Sequence, residues 1–167
     1  EKFGGHKYAA GLSIKKENIQ AFIDAFESEV SNSITSDQLI PKVEFDIKIE
    51  LNDVNEKLFR IIKQFAPFGP KNLSPVFLSS EIIDAGYSKR IGSDKSHLKI
   101  IAKTSRGSIH GIGFGMGDCF EIIKHPNLFN ICYSISENEW NGRKNLQLML
   151  KDIKKFLWKF LVKVHME

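Results

Sequence analysis

The stretch FNICYSISENEWNGRKNLQLMLKDI, residues 129–153, decides the fold of this chain. Two runs rich in strand-forming residues, 129–139 and 143–153, are separated by Asn141-Gly142. Asparagine and glycine both tolerate the positive φ angles that a two-residue hairpin turn requires. The pattern therefore predicts two long antiparallel strands joined by a tight turn.

More strand-like runs precede this hairpin, and Arg106-Gly107 marks a second turn between two of them. The predicted strands are 75–79, 82–91, 97–104 and 108–115. A short helical piece from Cys119 to Lys124 interrupts the strands. Several strands with one intervening helix, over roughly 110 residues, favour a small closed or nearly closed β-barrel. An oligonucleotide-binding (OB) barrel fits, although composition alone does not separate it from other small barrels.

Residues 42–51 alternate strictly between apolar and charged side chains, which predicts a half-buried antiparallel strand with one face in water. Asp53 then stands in the position of a helix N-cap, with Glu56 three residues later as its capping-box partner. The apolar stripe of that helix is predicted to consist of Leu58, Phe59, Ile62 and Phe65. The segment 66–70, which contains two prolines and a glycine, ends the helix.

An amphipathic helix is predicted over residues 17–31, because apolar residues recur there at three- and four-residue steps. The polar stretch that follows, closed by Pro41, is the predicted domain boundary. The overall fold class is therefore α+β, dominated by an antiparallel barrel. The tail 154–167 is basic and amphipathic, which predicts a terminal helix packed on the barrel, with membrane-surface contact as the alternative.

Bulk composition narrows the class of protein. The 167 residues carry a net charge of +4, with 42% hydrophobic and 26% charged residues, as is typical of a globular protein. A mildly basic chain permits a polyanionic partner without requiring one. The two cysteines, Cys119 and Cys132, form no CxxC pair and are predicted to be reduced in a cytoplasmic protein. The sequence contains no run of eighteen or more apolar residues, so it predicts no membrane-spanning segment.

The first residues carry a glycine-rich motif, GGHKYAAG at 4–11. Paired glycines allow the backbone to approach a ligand closely, and the histidine supplies a donor. This combination suits a phosphate or the end of a nucleotide. The alternative interpretation is a glycine turn that leads into a strand, with His6 merely exposed.

The motif resembles the GGHxxAAG signature of the DHH-associated domain, the substrate-holding half of the DHH phosphoesterase superfamily. The resemblance implies that Gly4, Gly5 and His6 contact a terminal nucleotide or its phosphate, with Gly11 supporting the turn. It also implies that residues 1–40 are the C-terminal part of such a domain.

A second motif, FAPFGPKNLSPVF at 65–77, is similar to the PFGxGNPxPxF loop of RecJ nucleases, although Lys71 stands where that loop has its second glycine. The segments 86–92, 97–100, 111–118 and 137–154 also resemble strands of the RecJ OB domain. The resemblance implies an OB domain over 41–153. It further implies a 5′-to-3′ single-stranded-DNA exonuclease of DNA repair and recombination.

The implied hydrolysis needs Mn²⁺ or Mg²⁺ held by a cluster of carboxylates. The chain has no DHH triplet and no aspartate cluster, and its five histidines show no ligand spacing. We therefore expect the metal site to lie upstream, in a domain absent from this sequence. The chain alone is expected to bind no metal and to cleave nothing.

Basic residues gather in two segments that flank the predicted turns, as in OB folds that hold single strands. The residues predicted to line the path of single-stranded DNA are Lys89, Arg90, Arg106, Trp140, Arg143, Lys144 and Lys151. In the alternative, Trp140 caps the barrel and the lysines form a solvated face. A non-catalytic module that docks a protein, such as a single-strand-binding protein, is the other functional hypothesis. We expect a monomer with no membrane partner.

Overall fold

The computed structural model describes residues 2–6, 9–140 and 142–156, with only the backbone described at positions 140 and 143. The chain divides into two compact units, Glu1–Lys42 and Val43–Glu167. No helix within the described ranges combines the length and apolar character needed to cross a membrane.

The first unit contains a hairpin and a helix. Strand β1 (Lys2–His6) pairs antiparallel with β2 (Ala9–Ser13). A single 3-10 turn leads into helix α1 (Ile19–Ser33). The helix predicted from the apolar periodicity is therefore present, displaced by two residues at each end.

The second unit is built on a seven-stranded, mostly antiparallel sheet. Its strands are β3 (Ile47–Lys48), β4 (Phe77–Ile83), β5 (Lys89–Ile91), β6 (His97–Thr104), β7 (Gly107–Gly113), β8 (Leu128–Trp140) and β9 (Arg143–Lys155). They are ordered β3-β4-β8-β9-β7-β6-β5. Among the strand pairs of the described residues, β3–β4 and β7–β9 are parallel and the others are antiparallel. The described part of this unit also contains two short α-helices, α2 (Glu56–Lys63) and α3 (Phe120–Ile123).

The sheet curls until its two halves meet. Just beyond β4, Asp84 forms an antiparallel bridge with Ala102 of β6. The Ala85 N–H donates to the Ile101 carbonyl over 2.8 Å. The mainly antiparallel architecture predicted from the sequence is confirmed. A single bridge, rather than a continuous ladder, joins the two sides, so the strands do not form a fully closed barrel.

The two predicted turns are both hairpins. Trp140 pairs with Arg143, so the turn between β8 and β9 has two residues, and Gly142 adopts a φ of 72°. Only glycine adopts that left-handed conformation at no steric cost. Thr104 pairs with Gly107, so the second turn consists of residues 105–106, one position earlier than predicted.

The prediction of a strand over 42–51 was wrong for most of its length. Only Ile47 and Lys48 form a strand, and Ile47 is 54% exposed. This segment has a backbone partner on one side only, β4, and it runs parallel to that partner. Alternation alone does not supply the second neighbour that an inner strand needs, so most of the segment stays outside the ladder.

Local capping and segment limits also differ from expectation. Asp53 closes a 3-10 turn, and Asn55 is the N-cap of α2, its side chain accepting from the Leu58 N–H at 3.0 Å. Residues 82–91 are not one strand, because a turn separates β4 from β5. The predicted terminal helix cannot begin at Lys154, since β9 extends to Lys155. The rest of that predicted helix, 157–167, lies outside the described residues.

A buried polar chain ties the edge of the sheet to its core. The Ser79 hydroxyl donates to the Ile49 carbonyl at 2.8 Å, and it lies 2.8 Å from the Tyr133 hydroxyl. Because serine has one hydroxyl proton, Tyr133 is the donor in the second bond. Both side chains are buried, and burial raises the pKa of Tyr133 to about 12.

We expect Ser79→Ala to destabilise the second unit more than Tyr133→Phe does. Alanine leaves a buried tyrosine hydroxyl unpaired, which costs about 1–3 kcal/mol. Phenylalanine leaves the serine bonded to Ile49 and loses only about 0.5–1.5 kcal/mol. Urea denaturation followed by circular dichroism measures both changes in free energy of unfolding. The double variant should be no less stable than Ser79→Ala, and strictly additive losses would contradict the coupling.

Candidate nucleic-acid-binding groove

An open groove of about 970 Å³ lies on the second unit. One wall comes from the segment 51–56, which enters α2. The floor and opposite wall come from β5, β6, β7 and the region around the β8–β9 hairpin. The groove therefore runs over the outer face of the sheet, since the opposite side chains of β6 and β7 are buried in the core.

Cations dominate the charged lining of this groove. Lys89, Lys99, Arg106 and Lys144 line it, against Glu56 as the one acidic residue among the described lining residues. Lys89 stands directly opposite Lys99 in the β5–β6 register. Like charges in that position are destabilising in a sheet. A polyanionic ligand bound between the two ammonium groups would reduce their mutual repulsion.

Three of the four cations lack a local counter-charge. Within the described part of the chain, no carboxylate lies within 4.0 Å of Lys89, Lys99 or Arg106 in an ion pair. Lys144 differs, because its ammonium lies 3.5 Å from Glu137 and 3.9 Å from Glu139. Its charge is largely compensated before any ligand arrives.

The turn that carries Arg106 is tied to the opposite wall. The side-chain oxygen of Asn52 accepts from the Ser105 N–H at 2.8 Å and from the Ser105 hydroxyl at 2.9 Å. The Arg106 N–H also donates to the Thr104 hydroxyl at 3.3 Å. These bonds fix the backbone of the turn that carries Arg106, one of the residues that line the groove.

The structure does not bring Arg90 into the groove. Its Nε donates to the Gly117 carbonyl at 2.9 Å, and its guanidinium lies 3.7 Å from Glu121 and over the Phe120 ring. Alternation explains the difference, because Arg90 and its neighbour Lys89 must point to opposite faces of β5. Arg90 thus fastens the α3 region to the sheet.

The remaining predicted path residues have mixed placements. Lys151 is exposed on β9 but does not line the groove. It occupies the irregularity where Tyr133 pairs with Leu150 and Cys132 with Asp152. Trp140 and Arg143 pair across the hairpin, but their side chains lie outside the described residues. A DNA-binding role for each of these positions stays a prediction.

Two groove residues escaped the sequence analysis as site candidates. Lys99 shares the outer face of β6 with Ile101 and Lys103, because residues two apart in a strand point to the same side. The two-residue periodicity of the sequence could therefore have identified Lys99 as exposed on this face. His110 lines the groove beside Gln147, its register partner on β9. Nothing local predicts that pairing, because β7 and β9 are parallel strands joined through a long connection.

The GGH motif forms the hairpin of the first unit. Gly4 pairs with Gly11, Gly5 with Ala10, and His6 with Ala9. A Cβ added at Gly5 would lie 2.9 Å from the Cβ of Ala10, so the strands pack too closely for a larger residue. Contact of Gly4, Gly5, His6 and Gly11 with a terminal nucleotide stays a prediction.

The 65–77 loop is held by one side-chain amide. The Asn72 amide donates to the carbonyls of Phe65 and Pro67, both at 2.8 Å. Lys71, which replaces a glycine of the RecJ-like motif, adopts a left-handed φ of 69°. The loop therefore keeps a glycine-like backbone at this position despite the substitution, which costs conformational energy.

The described residues offer no fit for a catalytic metal. No group of three or more His, Cys, Asp or Glu side chains among them is arranged to hold an ion. Cys119 and Cys132 are free and half-buried, and burial raises the pKa of both thiols. Protonated thiols are poor nucleophiles and poor ligands. No chemical step is therefore assigned to this part of the chain.

Comparison with known proteins relates the chain to one family. Residues 45–152 match the family model of the RecJ OB domain. The chain is 30% identical over 151 residues to the single-stranded-DNA-specific exonuclease RecJ of Bacillus subtilis, a match covering 90% of this chain and 19% of that protein. It is 28% identical to the Haemophilus influenzae exonuclease of the same name, covering 89% and 26% respectively. The chain thus spans about a quarter or less of these relatives.

A solved structure shares the fold. The crystal structure of Thermus thermophilus RecJ in complex with Mn²⁺ superposes with a TM-score of 0.70 at 22% identity, covering 93% of this chain and 22% of that one. At this level of identity the match shows that the two proteins share a fold.

We expect Lys89→Gln to raise the free energy of unfolding in low salt, because it removes the like-charge pair with Lys99. The gain should be roughly 0.2–1 kcal/mol. It should fade near 1 M salt, where screening is nearly complete. Denaturation at both salt concentrations checks this, with Lys57→Gln, an exposed lysine of α2 outside the groove, as the control. An equal gain in the control would show that net charge alone is responsible.

Proposed function

The chain belongs to the RecJ OB-domain family, and from this premise we propose that its groove binds single-stranded DNA for a larger exonuclease. The observation that carries the proposal is the convergence of Lys89, Lys99 and Arg106, without paired carboxylates, on one open groove. OB folds hold single strands by running the phosphate backbone along a positively charged groove. The named relatives are single-stranded-DNA-specific exonucleases.

In this proposal the cations act on the backbone of the strand. Lysine ammonium groups and the Arg106 guanidinium neutralise phosphates and release counterions, which gives affinity without reading sequence. Lys144 contributes less, because Glu137 and Glu139 already neutralise it. Contrary to the expectation from the sequence, this proposal gives Lys151 no phosphate contact, because Lys151 does not line the groove. The binding is therefore weak and indifferent to base sequence.

The whole protein, in this proposal, hydrolyses single-stranded DNA from the 5′ end. Its Mn²⁺ or Mg²⁺ would be held by residues outside this chain. The GGH hairpin would contact the terminal nucleotide, while the groove guides the strand toward it. The proposal extends to a role of the whole protein in DNA repair and recombination, which the resemblance to RecJ nucleases suggests.

A salt titration of DNA binding tests the groove. If three cations contact phosphates, log K against log salt should have a slope of about −2, since each phosphate on a single strand contributes about −0.7. Lys99→Gln should make the slope shallower by about 0.7. Lys151→Gln should leave it unchanged and serves as the matched control. Fluorescence anisotropy with a labelled thymidine oligonucleotide of about fifteen residues provides the measurement.

Two outcomes would overturn this proposal. Equal effects of the Lys99 and Lys151 substitutions would mean that net charge, not the groove, determines binding. No binding at low salt, together with binding of an acidic peptide, would favour the docking of a protein partner such as a single-strand-binding protein.

In the whole exonuclease, we expect His6→Ala to lower turnover by about ten- to a hundredfold. Loss of a charge-assisted hydrogen bond to the terminal phosphate costs about 1.5–3 kcal/mol. We expect turnover to fall far more than stability, which the melting temperature of the variant measures. Single-turnover nucleotide release from a 5′-labelled strand measures the effect. A wild-type rate in a folded variant would assign His6 a structural role only.

A further inference from the structure

Phe114 is a large aromatic residue left in solvent at the end of β7. Its side chain is 63% exposed. An isolated exposed phenylalanine is ordinary on a protein surface. Phe114 differs because its ring is held in a defined position beside the groove that carries the unpaired cations.

Strand register places Phe114 at one end of this groove. Lys99 and Ile112 are register partners, and both line the groove. His97 precedes Lys99 by two residues, so it lies on the same outer face about 7 Å further along β6. The rings of His97 and Phe114 are 5.3 Å apart at 77°, an edge-to-face contact. That contact fixes the Phe114 ring on the groove side of the sheet.

The backbone that carries Phe114 is also held in place. The Gly115 N–H donates to His97 Nδ1 at 3.0 Å, and Gly115 adopts a left-handed φ of 68°. The Gly117 N–H donates to the Ser96 carbonyl at 2.7 Å. The turn after β7 is thus bonded on both sides to the residues that begin β6. A ring held this way loses little further freedom when a planar ligand stacks on it.

We infer that Phe114, backed by His97, is a stacking platform for one nucleobase of the single strand whose phosphates occupy the groove. The inference rests on the proposed function and assigns a base-binding position that the cations alone do not provide. Every base has a π face, so the platform adds affinity without sequence preference. Charge complementarity at Lys89 and Lys99 selects a nucleic acid rather than an apolar peptide as the occupant.

The test compares a thymidine oligonucleotide with an abasic phosphodiester of the same length, both titrated with the 167-residue chain. Phe114→Leu keeps apolar bulk but removes the ring. It should weaken binding to the thymidine oligonucleotide by about five- to a hundredfold, the usual range for one stacked base. Affinity for the abasic oligomer and the salt slope should stay unchanged, because stacking releases no counterions. Phe114→Tyr should retain affinity.

Phe65→Leu is the matched control, since Phe65 is 62% exposed but follows α2, whereas Phe114 directly follows the groove strand β7. Circular dichroism confirms that each variant is folded. If the wild-type chain binds with a Lys99-dependent salt slope and Phe114→Leu binds equally well, the groove proposal stands and the stacking inference fails. Equal losses on both oligomers would also overturn it. If the wild-type chain binds neither oligomer, both proposals fail.

Discussion

The pairing of β8 with β9 is the constraint on which the strand order of the sheet depends. Eight of its twelve register pairs follow directly from a two-residue turn, and the irregularity at Lys151 shifts the other four by one residue. The ladder places β4 against one side and β7 against the other. The β7–β6 and β6–β5 pairings continue from there. Because side chains alternate strictly along paired strands, this register decides which lysines face the groove. A slip of one residue would send Lys99 into the core and Leu98 into solvent.

Polar contacts between distant segments then build the second wall of the groove. Ser79 connects Ile49 to Tyr133, while Asn52 accepts two hydrogen bonds from Ser105. Each bond has a modest net value of about 0.5–1.5 kcal/mol. Together they attach the segment before α2 to both halves of the sheet. Residues of the segment 51–56 bound the groove on that side, and Asn52 ties the segment to the β6–β7 turn.

The cations of this surface differ in whether a carboxylate lies close enough to pair with them. Arg90 and Lys144 are held by carboxylates, whereas Lys89, Lys99 and Arg106 converge without them. Side-by-side lysines oppose folding slightly and favour a polyanion, so stability and binding make opposite demands here. The same outer face carries a fixed phenyl ring at its end. Unpaired cations in a groove and an aromatic ring beside it are the two features that OB folds combine to hold single strands.

The sequence alone determined the local elements, namely the helix near 17–31, the Asn141-Gly142 turn and most strands, since each depends on neighbours a few residues away. It also carried the motifs that relate the chain to RecJ nucleases. Tertiary structure decided that 42–51 stays largely unpaired, that Arg90 turns toward Glu121, and which cations share a groove. Those outcomes depend on contacts between residues far apart in the chain, as in the bond from Ser105 to Asn52. No local pattern encodes such distances, because they arise only when strand register brings separate segments together.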